Sequence, residues 1–295
     1  MHTWHVRYSE RQGKEQRTVS HSCSRLVAVA SLAALTLGAA ACGSSSPSPT
    51  TSSPAATPSG AATISYSKVV DLSQVISASI PLWPGDPKIV FKVAATMEKD
   101  GYYLRSMTIG EHSGTHMSAA NSFVEGDTTA ITDYSPERRI VPAAVIDVRD
   151  KCAENVDYEL TKQDVLDWEA EHGKLTPGTF FIMLTGWQDL WDDSKAFFNQ
   201  DAEGNLHYPG FAPATSEWLV NERDVAGLGI DTHGLDPGSD TAYSTNMVLA
   251  RTHKIAVECM GHLDELPPTG ATVILAPLQL QDGSASPLDI IALVP

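Results

Sequence analysis

Short apolar segments separated by turn residues dominate the first half of the folded part of this chain. The segments SKVVDLSQVI, PKIVFKVAAT, YYLRSMTIG and IVPAAVIDV are rich in β-branched and apolar residues, and turn residues interrupt them. This pattern predicts strands, with a turn at PLWPGDP (81–87). The continuous apolar run TFFIMLTGW (179–187) predicts a buried strand that leads into a loop.

Helical and extended patterns then follow one another. TKQDVLDWEAEHG (161–173) predicts a helix capped by Thr161, with Val165, Leu166 and Trp168 on its apolar face. PATSEWLVNERDV predicts a second helix before the strand GLGID, and TNMVLARTHKIAVECM passes from helix to strand. GATVILAPLQL and SPLDIIALVP predict further extended segments. Because strands and helices interleave without strict alternation, we expect an α/β domain with a mixed β-sheet and flanking helices.

The first 41 residues have the pattern of an export signal. An apolar run, LVAVASLAALTLGAAA (26–41), follows Lys14, Arg17 and Arg25 and is too short to span a membrane. Its small residues run directly into Cys42, as in a bacterial lipoprotein box, where the cysteine is lipidated. Ala39 stands where that box more often has leucine, so ordinary signal cleavage stays open. We expect an exported lipoprotein facing outside the cytoplasm or, alternatively, a secreted protein.

Residues 42–63 form a Ser/Thr/Pro-rich tract that predicts a flexible tether, which leaves 64–295 as one folded domain. The chain has 20 basic and 36 acidic residues, a net charge of −16. This acidity argues against nucleic acid as a partner and against membrane contact other than through a lipid anchor. Export permits a disulfide between Cys152 and Cys259, but two buried free thiols fit the sequence equally well.

His112 and His116 lie four positions apart in GEHSGTHMSAANSF (110–123). The intervening Ser-Gly-Thr is a poor helix sequence, so a strand end or tight loop is expected, with Gly114 bending the backbone so that both imidazoles converge. Taken alone, such a pair more often consists of hydrogen-bonded polar histidines than of metal ligands.

The surrounding residues favour a metal. HSGTH resembles the H-x-G-T-H-x-D-x-P-x-H-F signature of the cyclase family of metal-dependent hydrolases, which includes bacterial kynurenine formamidases and isatin hydrolases. The stretches VVDLSQVISASIPLWPGDP, LTGW, GLGIDTHGLDPG and APLQLQDGSASPLDIIAL occur in the order of that family. The resemblance implies a cyclase-like swivelling β/β/α domain. It also implies an assembly such as a homodimer or a higher homo-oligomer.

The resemblance further implies a metal site. Family enzymes bind one or two divalent ions, commonly zinc or manganese, through two histidines, the signature aspartate, a downstream histidine and a glutamate. Here His112 and His116 occupy the two histidine positions and Glu258 the glutamate position. Two imidazoles and one carboxylate suffice for a catalytic metal with an open position for water. We expect at most one divalent ion, zinc or manganese.

The remaining signature positions differ from the family. Ser118 replaces the aspartate, Ala120 the proline and Ser122 the final histidine, while Asn246 stands where the downstream histidine falls. The chain therefore lacks the carboxylate that would bridge two ions and the histidine usually credited as the proton shuttle. Ser122 cannot act as a base near neutral pH.

Other residues are candidates for the missing roles. His233 in DTHGLDPG is the first candidate for a replacement base or ligand, and a solvent-bonded loop histidine is the alternative. Asn246 could donate a hydrogen bond to a developing oxyanion, and Ser118 could contact ligands or substrate. Trp83 and Trp187 match positions that wall the substrate pocket in relatives, or they fill the core.

These expectations lead to two functions. The first is a metal-dependent hydrolase in which an activated water cleaves a carbon–nitrogen bond of a small amide or cyclic amide, as in arylformamidases. The second is a membrane-tethered lipoprotein that kept the fold, lost catalysis and binds a small molecule. The substitutions at positions 118, 122 and 246 favour the second.

Overall fold

The structure, a computed structural model, describes residues 63–295. The predicted export signal, Cys42 and the predicted tether up to residue 62 lie outside the described residues. The strands are β1 (Lys68–Asp71), β2 (Val90–Ala95), β3 (Leu104–Thr108), β4 (His116–Ser118), β5 (Ile140–Asp147), β6 (Glu159–Leu160), β7 (Phe180–Leu184), β8 (Gly210–Phe211), β9 (Gly227–Ile230), β10 (Ile255–Glu258), β11 (Thr269–Pro277) and β12 (Ala285–Val294). The helices are α1 (Met97–Asp100), α2 (Arg149–Glu154), α3 (Lys162–His172), α4 (Ser194–Phe198), α5 (Pro213–Arg223) and α6 (Ser244–Arg251).

Eight of these strands form a mixed sheet in the order β1-β12-β11-β5-β7-β9-β10-β4. The neighbours from β5 to β10 are parallel, and the other pairs are antiparallel. β12 also pairs with β4 through its first residues, which closes seven strands into a barrel, while β1 pairs with the last residues of β12. The predicted mixed sheet is confirmed. Its closure was not predicted, because β4 is only three residues long and lies within the histidine motif.

The central strands are apolar throughout because both of their faces are buried. In β7, Phe180 and Ile182 pack with other barrel-strand side chains, whereas Phe181 and Met183 pack on the side of α3 and α5. Alternate residues of a strand point to opposite faces, so each face needs its own apolar set. The continuous apolar run therefore correctly indicated a doubly buried strand.

Helix α3 begins where its capping residue predicted. The hydroxyl of Thr161 accepts a hydrogen bond from the Asp164 backbone N–H at 3.2 Å, and Asp164 accepts one from the Thr161 N–H at 2.7 Å. This reciprocal pair satisfies two backbone donors at the helix start. Val165 and Trp168 then face the sheet in the buried layer.

Cys152 and Cys259 are both buried free thiols. The sequence allowed either a disulfide between them or two buried free thiols, and the structure contains the free thiols. Among the described residues, no helix is long and apolar enough to cross a membrane.

The closing strand β4 provides a test of the barrel. Met117 is 0% exposed between β10 and β12, so Met117→Ala should lower the free energy of unfolding by about 2–5 kcal/mol through lost burial and a cavity. Met107 is 58% exposed on the separate β2–β3 hairpin, so Met107→Ala should change the free energy of unfolding by no more than about 0.5 kcal/mol. Denaturant unfolding measures both, and equal losses would contradict this barrel.

Candidate active site

The HSGTH turn is fixed at both of its ends. Gly114 has φ +67°, and a Cβ there would lie 3.1 Å from Ile76, so the bend requires glycine. The hydroxyl of Thr115 donates to the Cys259 carbonyl at 2.6 Å. Glu111, at the start of the turn, accepts hydrogen bonds from the Ser284 N–H and hydroxyl at 2.8 and 2.7 Å. The predicted tight loop bent at Gly114 is thereby confirmed, and β4 begins directly after it at His116.

His116 and Glu258 are cross-strand partners in the antiparallel pairing of β4 with β10. Nδ1 of His116 lies 2.9 Å from the Gly114 carbonyl and donates to it, which leaves Nε2 facing Glu258. The distance from Nε2 to Glu258 Oε2 is 3.0 Å, yet Nε2 has no aligned hydrogen bond, and His116 is 1% exposed. Strand register thus joins two residues that are far apart in sequence.

The other oxygen of Glu258 is held by two N–H donors. Oε1 accepts from Asn246 Nδ2 at 2.9 Å and from the Leu235 backbone at 3.2 Å. Asn246 Nδ2 also donates to Asp236 Oδ2 at 2.9 Å, and Asp236 Oδ1 accepts from the Thr245 N–H at 2.5 Å. Asn246 therefore bridges two buried carboxylates with the two protons of one amide.

This bridge corrects the role that the sequence suggested for Asn246. Both of its amide protons are committed to Glu258 and Asp236, so neither is available for a substrate oxyanion. Reversing the amide would point its carbonyl oxygen at two carboxylates, which is electrostatically unfavourable. Asn246 positions Glu258 instead.

The electrostatics of the two carboxyl groups differ. Burial acts to raise the pKa of Glu258, but the contacts with His116 and Asn246 outweigh it and lower that pKa to about 2. Burial raises the pKa of Asp236 to about 7, and the nearby Glu258 adds to that rise, although the Thr245 and Asn246 donors oppose it. Glu258 is therefore the permanent negative charge of the site.

His112 lies beside this pair, with its ring centroid 5.2 Å from that of His116. Its Nδ1 is 3.5 Å from the Ser118 hydroxyl and its Nε2 is 3.5 Å from the Ser122 hydroxyl. Ser122 donates to the Ser284 carbonyl at 2.5 Å. Burial and the neighbouring His116 lower the pKa of His112 to about 4, so it is neutral at pH 7.

His233 is buried at 5% exposure, which excludes the solvent-bonded loop histidine. Its ring lies 5.2 Å from that of Trp83, 5.0 Å from that of Phe198 and 6.2 Å from that of His116. Burial among these rings lowers the pKa of His233 to about 4, so the imidazole is neutral at pH 7. The structure therefore places His233 beside the His116–Glu258 pair.

A cavity of about 390 Å³ opens over these residues. Trp83 lines it together with Phe123 and Tyr243, and contact of Trp83 with a substrate stays a prediction. Trp187 does not line it: Trp187 is buried, and its indole N–H donates to the Phe197 carbonyl at 2.7 Å. Trp187 therefore fills the core, which was the second of the two interpretations that its sequence position allowed.

A divalent cation fits this donor set in part. Burial acts to lower the pKa of His116, but the contact with Glu258 and the bond to the Gly114 carbonyl outweigh it and raise that pKa. The imidazolium therefore pairs with the carboxylate, and a cation bound between the two side chains would take the place of the Nε2 proton. Within residues 63–295, however, no three His, Cys, Asp or Glu side chains converge closely enough to hold a metal. His112, His116 and Glu258 thus share one cavity, but His112 faces serines rather than a common point.

Sequence reasoning missed two buried ionisable side chains of the cavity wall, Asp236 and Tyr208. Asp236 belongs to the same DTHGLDPG motif as His233, and its position before the helix that carries Asn246 was a signal that could have found it. Tyr208 lies in a segment without a motif or periodicity. Only the tertiary fold brings Tyr208 to Glu258.

Comparison with known proteins gives consistent matches over the described domain. A family model described as "Putative cyclase" matches residues 70–237. The isatin hydrolase of Roseibium aggregatum is 32% identical over 244 residues, 77% of this chain and 92% of that protein. The kynurenine formamidase of Delftia acidovorans is 25% identical over 222 residues, 74% of this chain and 93% of that protein.

Solved structures agree. An isatin hydrolase bound to the product analogue thioisatinate has a TM-score of 0.73 at 31% identity, covering 77% of this chain and 92% of its own. A structure described as a "Potential Metal-Dependent Hydrolase With Cyclase Activity" has a TM-score of 0.59 at 20% identity, covering 76% of this chain and 96% of its own. The second likeness supports the fold alone.

The Asn246 bridge can be tested by adding one charge. Asn246→Asp places a third carboxylate between Glu258 and Asp236, and it should cost about 3–5 kcal/mol in the free energy of unfolding at pH 7 because a buried pairing becomes a repulsion. Asn221→Asp makes the same change at an exposed position of α5 and should change the free energy of unfolding little. Denaturant unfolding compares them, and a stable Asn246→Asp variant would contradict the bridge.

Proposed function

This chain belongs to the cyclase family, and from that premise we propose that it is a metal-dependent hydrolase of small linear or cyclic amides. The observation that carries the proposal is the buried contact between His116 and Glu258 beneath a cavity of about 390 Å³. Isatin hydrolase and kynurenine formamidase, by their names, act on a cyclic amide and a formamide, and both cover most of this domain.

His116 and Glu258 would hold one divalent ion, zinc or manganese, and His112, which faces Ser118 and Ser122, would join them only by turning toward that ion. A bound ion of this kind polarises a carbonyl and makes a coordinated water acidic. The position of the signature aspartate is Ser118, a neutral hydroxyl, which supports one ion rather than two. Asn246 and Leu235 hold Oε1 of Glu258, so that Oε2 remains directed at His116.

The proton chemistry falls to His233 in this proposal. Its imidazole is neutral at pH 7, faces the cavity and has a nitrogen lone pair that can accept a proton from the attacking water. The same imidazolium then donates that proton to the leaving nitrogen. Ser122 cannot replace it as a base, because its hydroxyl donates to Ser284.

The cavity wall supports a flat substrate. Trp83, Phe123 and Tyr243 line it with aromatic rings, and its volume lies in the range of small-molecule sites. An aryl formamide or a fused cyclic amide presents a planar ring to such a wall and a carbonyl to the histidines beneath it.

One observation favours the second candidate, a binding protein without catalysis. In the part of the chain that the structure describes, three metal-binding side chains do not converge. A cavity that binds a small aromatic amide in the absence of metal, and hydrolyses none, would be the functional result.

We further propose export and lipidation at Cys42. The support is the apolar run at 26–41 that ends in small residues directly before Cys42, followed by the Ser/Thr/Pro-rich tract. A lipid anchor would hold the hydrolase on the outer side of the cytoplasmic membrane, and assembly into a homo-oligomer stays a prediction from the family.

The metal proposal is tested by removing the ion. Chelator treatment should abolish hydrolysis of isatin and formanilide, zinc or manganese should restore it, and elemental analysis should find one ion per chain.

His116→Asn should lower kcat/KM by at least about 100-fold and abolish stoichiometric metal binding, because it removes a ligand to the reacting centre. His253→Asn, at a surface histidine paired with Asp127, is the matched control and should retain both properties.

Metal-independent turnover would contradict the proposed mechanism. Tight binding of isatin to metal-free protein that hydrolyses neither probe would establish the binding protein instead.

Lipidation is tested by Cys42→Ser. Mass spectrometry of the exported wild type should find a diacylglycerol-modified Cys42 at the mature N-terminus, and the variant should leave the membrane fraction because it lacks the thiol that is alkylated. Cys152→Ser, at a thiol buried inside the domain, is the control and should remain with the membrane. An unmodified, membrane-free wild type would indicate ordinary secretion.

A further inference from the structure

Tyr208 presents a buried phenol to the cavity. It is 3% exposed, lies just before β8 and shares the cavity wall with Glu258 and Asp236. A Cβ placed on Gly234 would lie 3.1 Å from the Tyr208 hydroxyl oxygen. The tip of the phenol therefore rests against the residue that follows His233.

Backbone packing fixes this position. A Cβ on Gly210 would lie 2.4 Å from the Asp236 carbonyl carbon, and one on Gly238 would lie 2.6 Å from the Leu206 carbonyl oxygen. Because neither glycine can be exchanged without moving backbone, the segment that carries Tyr208 and the loop that carries Asp236 are locked together. A group held in this way is preorganised, as a catalytic hydrogen-bond donor must be.

Among residues 63–295 the Tyr208 hydroxyl donates to no side chain or carbonyl, and its oxygen is not one of the fully enclosed unpaired atoms, so its proton is open to the cavity. Burial raises the pKa of Tyr208 well above 10, and the charge of Glu258 adds to that rise, so the phenol stays protonated. A hydroxyl on a cavity wall whose proton is not taken by the protein is free to donate that proton to a bound ligand atom.

Two donors that could have served the substrate are committed elsewhere. Asn246 gives both amide protons to carboxylates, and Ser122 gives its proton to the Ser284 carbonyl. We propose that Tyr208 donates a hydrogen bond to the carbonyl oxygen of the amide substrate as negative charge develops there. This inference rests on the proposed hydrolase function and adds a catalytic residue to it.

Tyr208→Phe removes only the hydroxyl. With isatin and formanilide as probes and metal-loaded protein, kcat should fall by about 10²–10³-fold, the usual loss for one oxyanion donor, while KM and the thermal unfolding midpoint change little. A thioamide analogue of formanilide should show a smaller ratio of wild-type to variant kcat, because sulfur accepts hydrogen bonds weakly. If the hydroxyl had a purely structural role, the variant would lose kcat by the same factor with formanilide and with its thioamide analogue.

Tyr158→Phe is the matched control. It removes a phenol hydroxyl that donates to Asp164 at 2.7 Å, outside the cavity, and should leave kcat unchanged. Wild-type activity with an equally active Tyr208→Phe variant would overturn the role of Tyr208 alone. A wild type that hydrolyses neither probe with metal restored would overturn the proposed function and this inference with it.

Discussion

The site depends on one buried carboxylate whose two oxygens have different surroundings. Oε1 of Glu258 is bound by an amide and a backbone N–H, while Oε2 lies 3.0 Å from Nε2 of the buried His116 imidazole. A charge buried this deeply is stable only when its surroundings supply compensating donors. The cross-strand pairing of β4 with β10 places His116 there, and the remaining cavity residues are arranged around that contact.

The substitutions at the signature positions form a consistent set. Neutral side chains at 118, 122 and 246 remove one carboxylate and two imidazoles from the family pattern. Asn246 replaces a histidine of the family pattern, and its amide also hydrogen-bonds to both Glu258 and Asp236. A carboxyl group with a pKa near 7 is thereby tolerated next to a permanently ionised one. Both oxygens of Glu258 thus keep polar contacts although the family's imidazole is absent from position 246.

The sequence predicted the regular elements well because their signals are local. The cap at Thr161, the doubly apolar β7 and the glycine bend at Gly114 all depend on residues within a few positions. Barrel closure and the place of Tyr208 depend on pairings between distant segments, and a single sequence carries no local sign of them. Trp187 shows the same limit: its neighbours in sequence matched a pocket wall, but an indole hydrogen bond to Phe197 directs it into the core.

The double pairing of β12 bears on how the domain forms. The first part of this strand binds β4 and the last part binds β1, so both contacts wait until residues 285–294 have been synthesised. Pairings across such sequence separation form slowly and leave strand edges exposed in the meantime. The strand that carries His116 can pair with β10 earlier, but its second edge stays open until residues 285–287 have been made, so the barrel around the cavity closes long after the histidine motif itself has been synthesised.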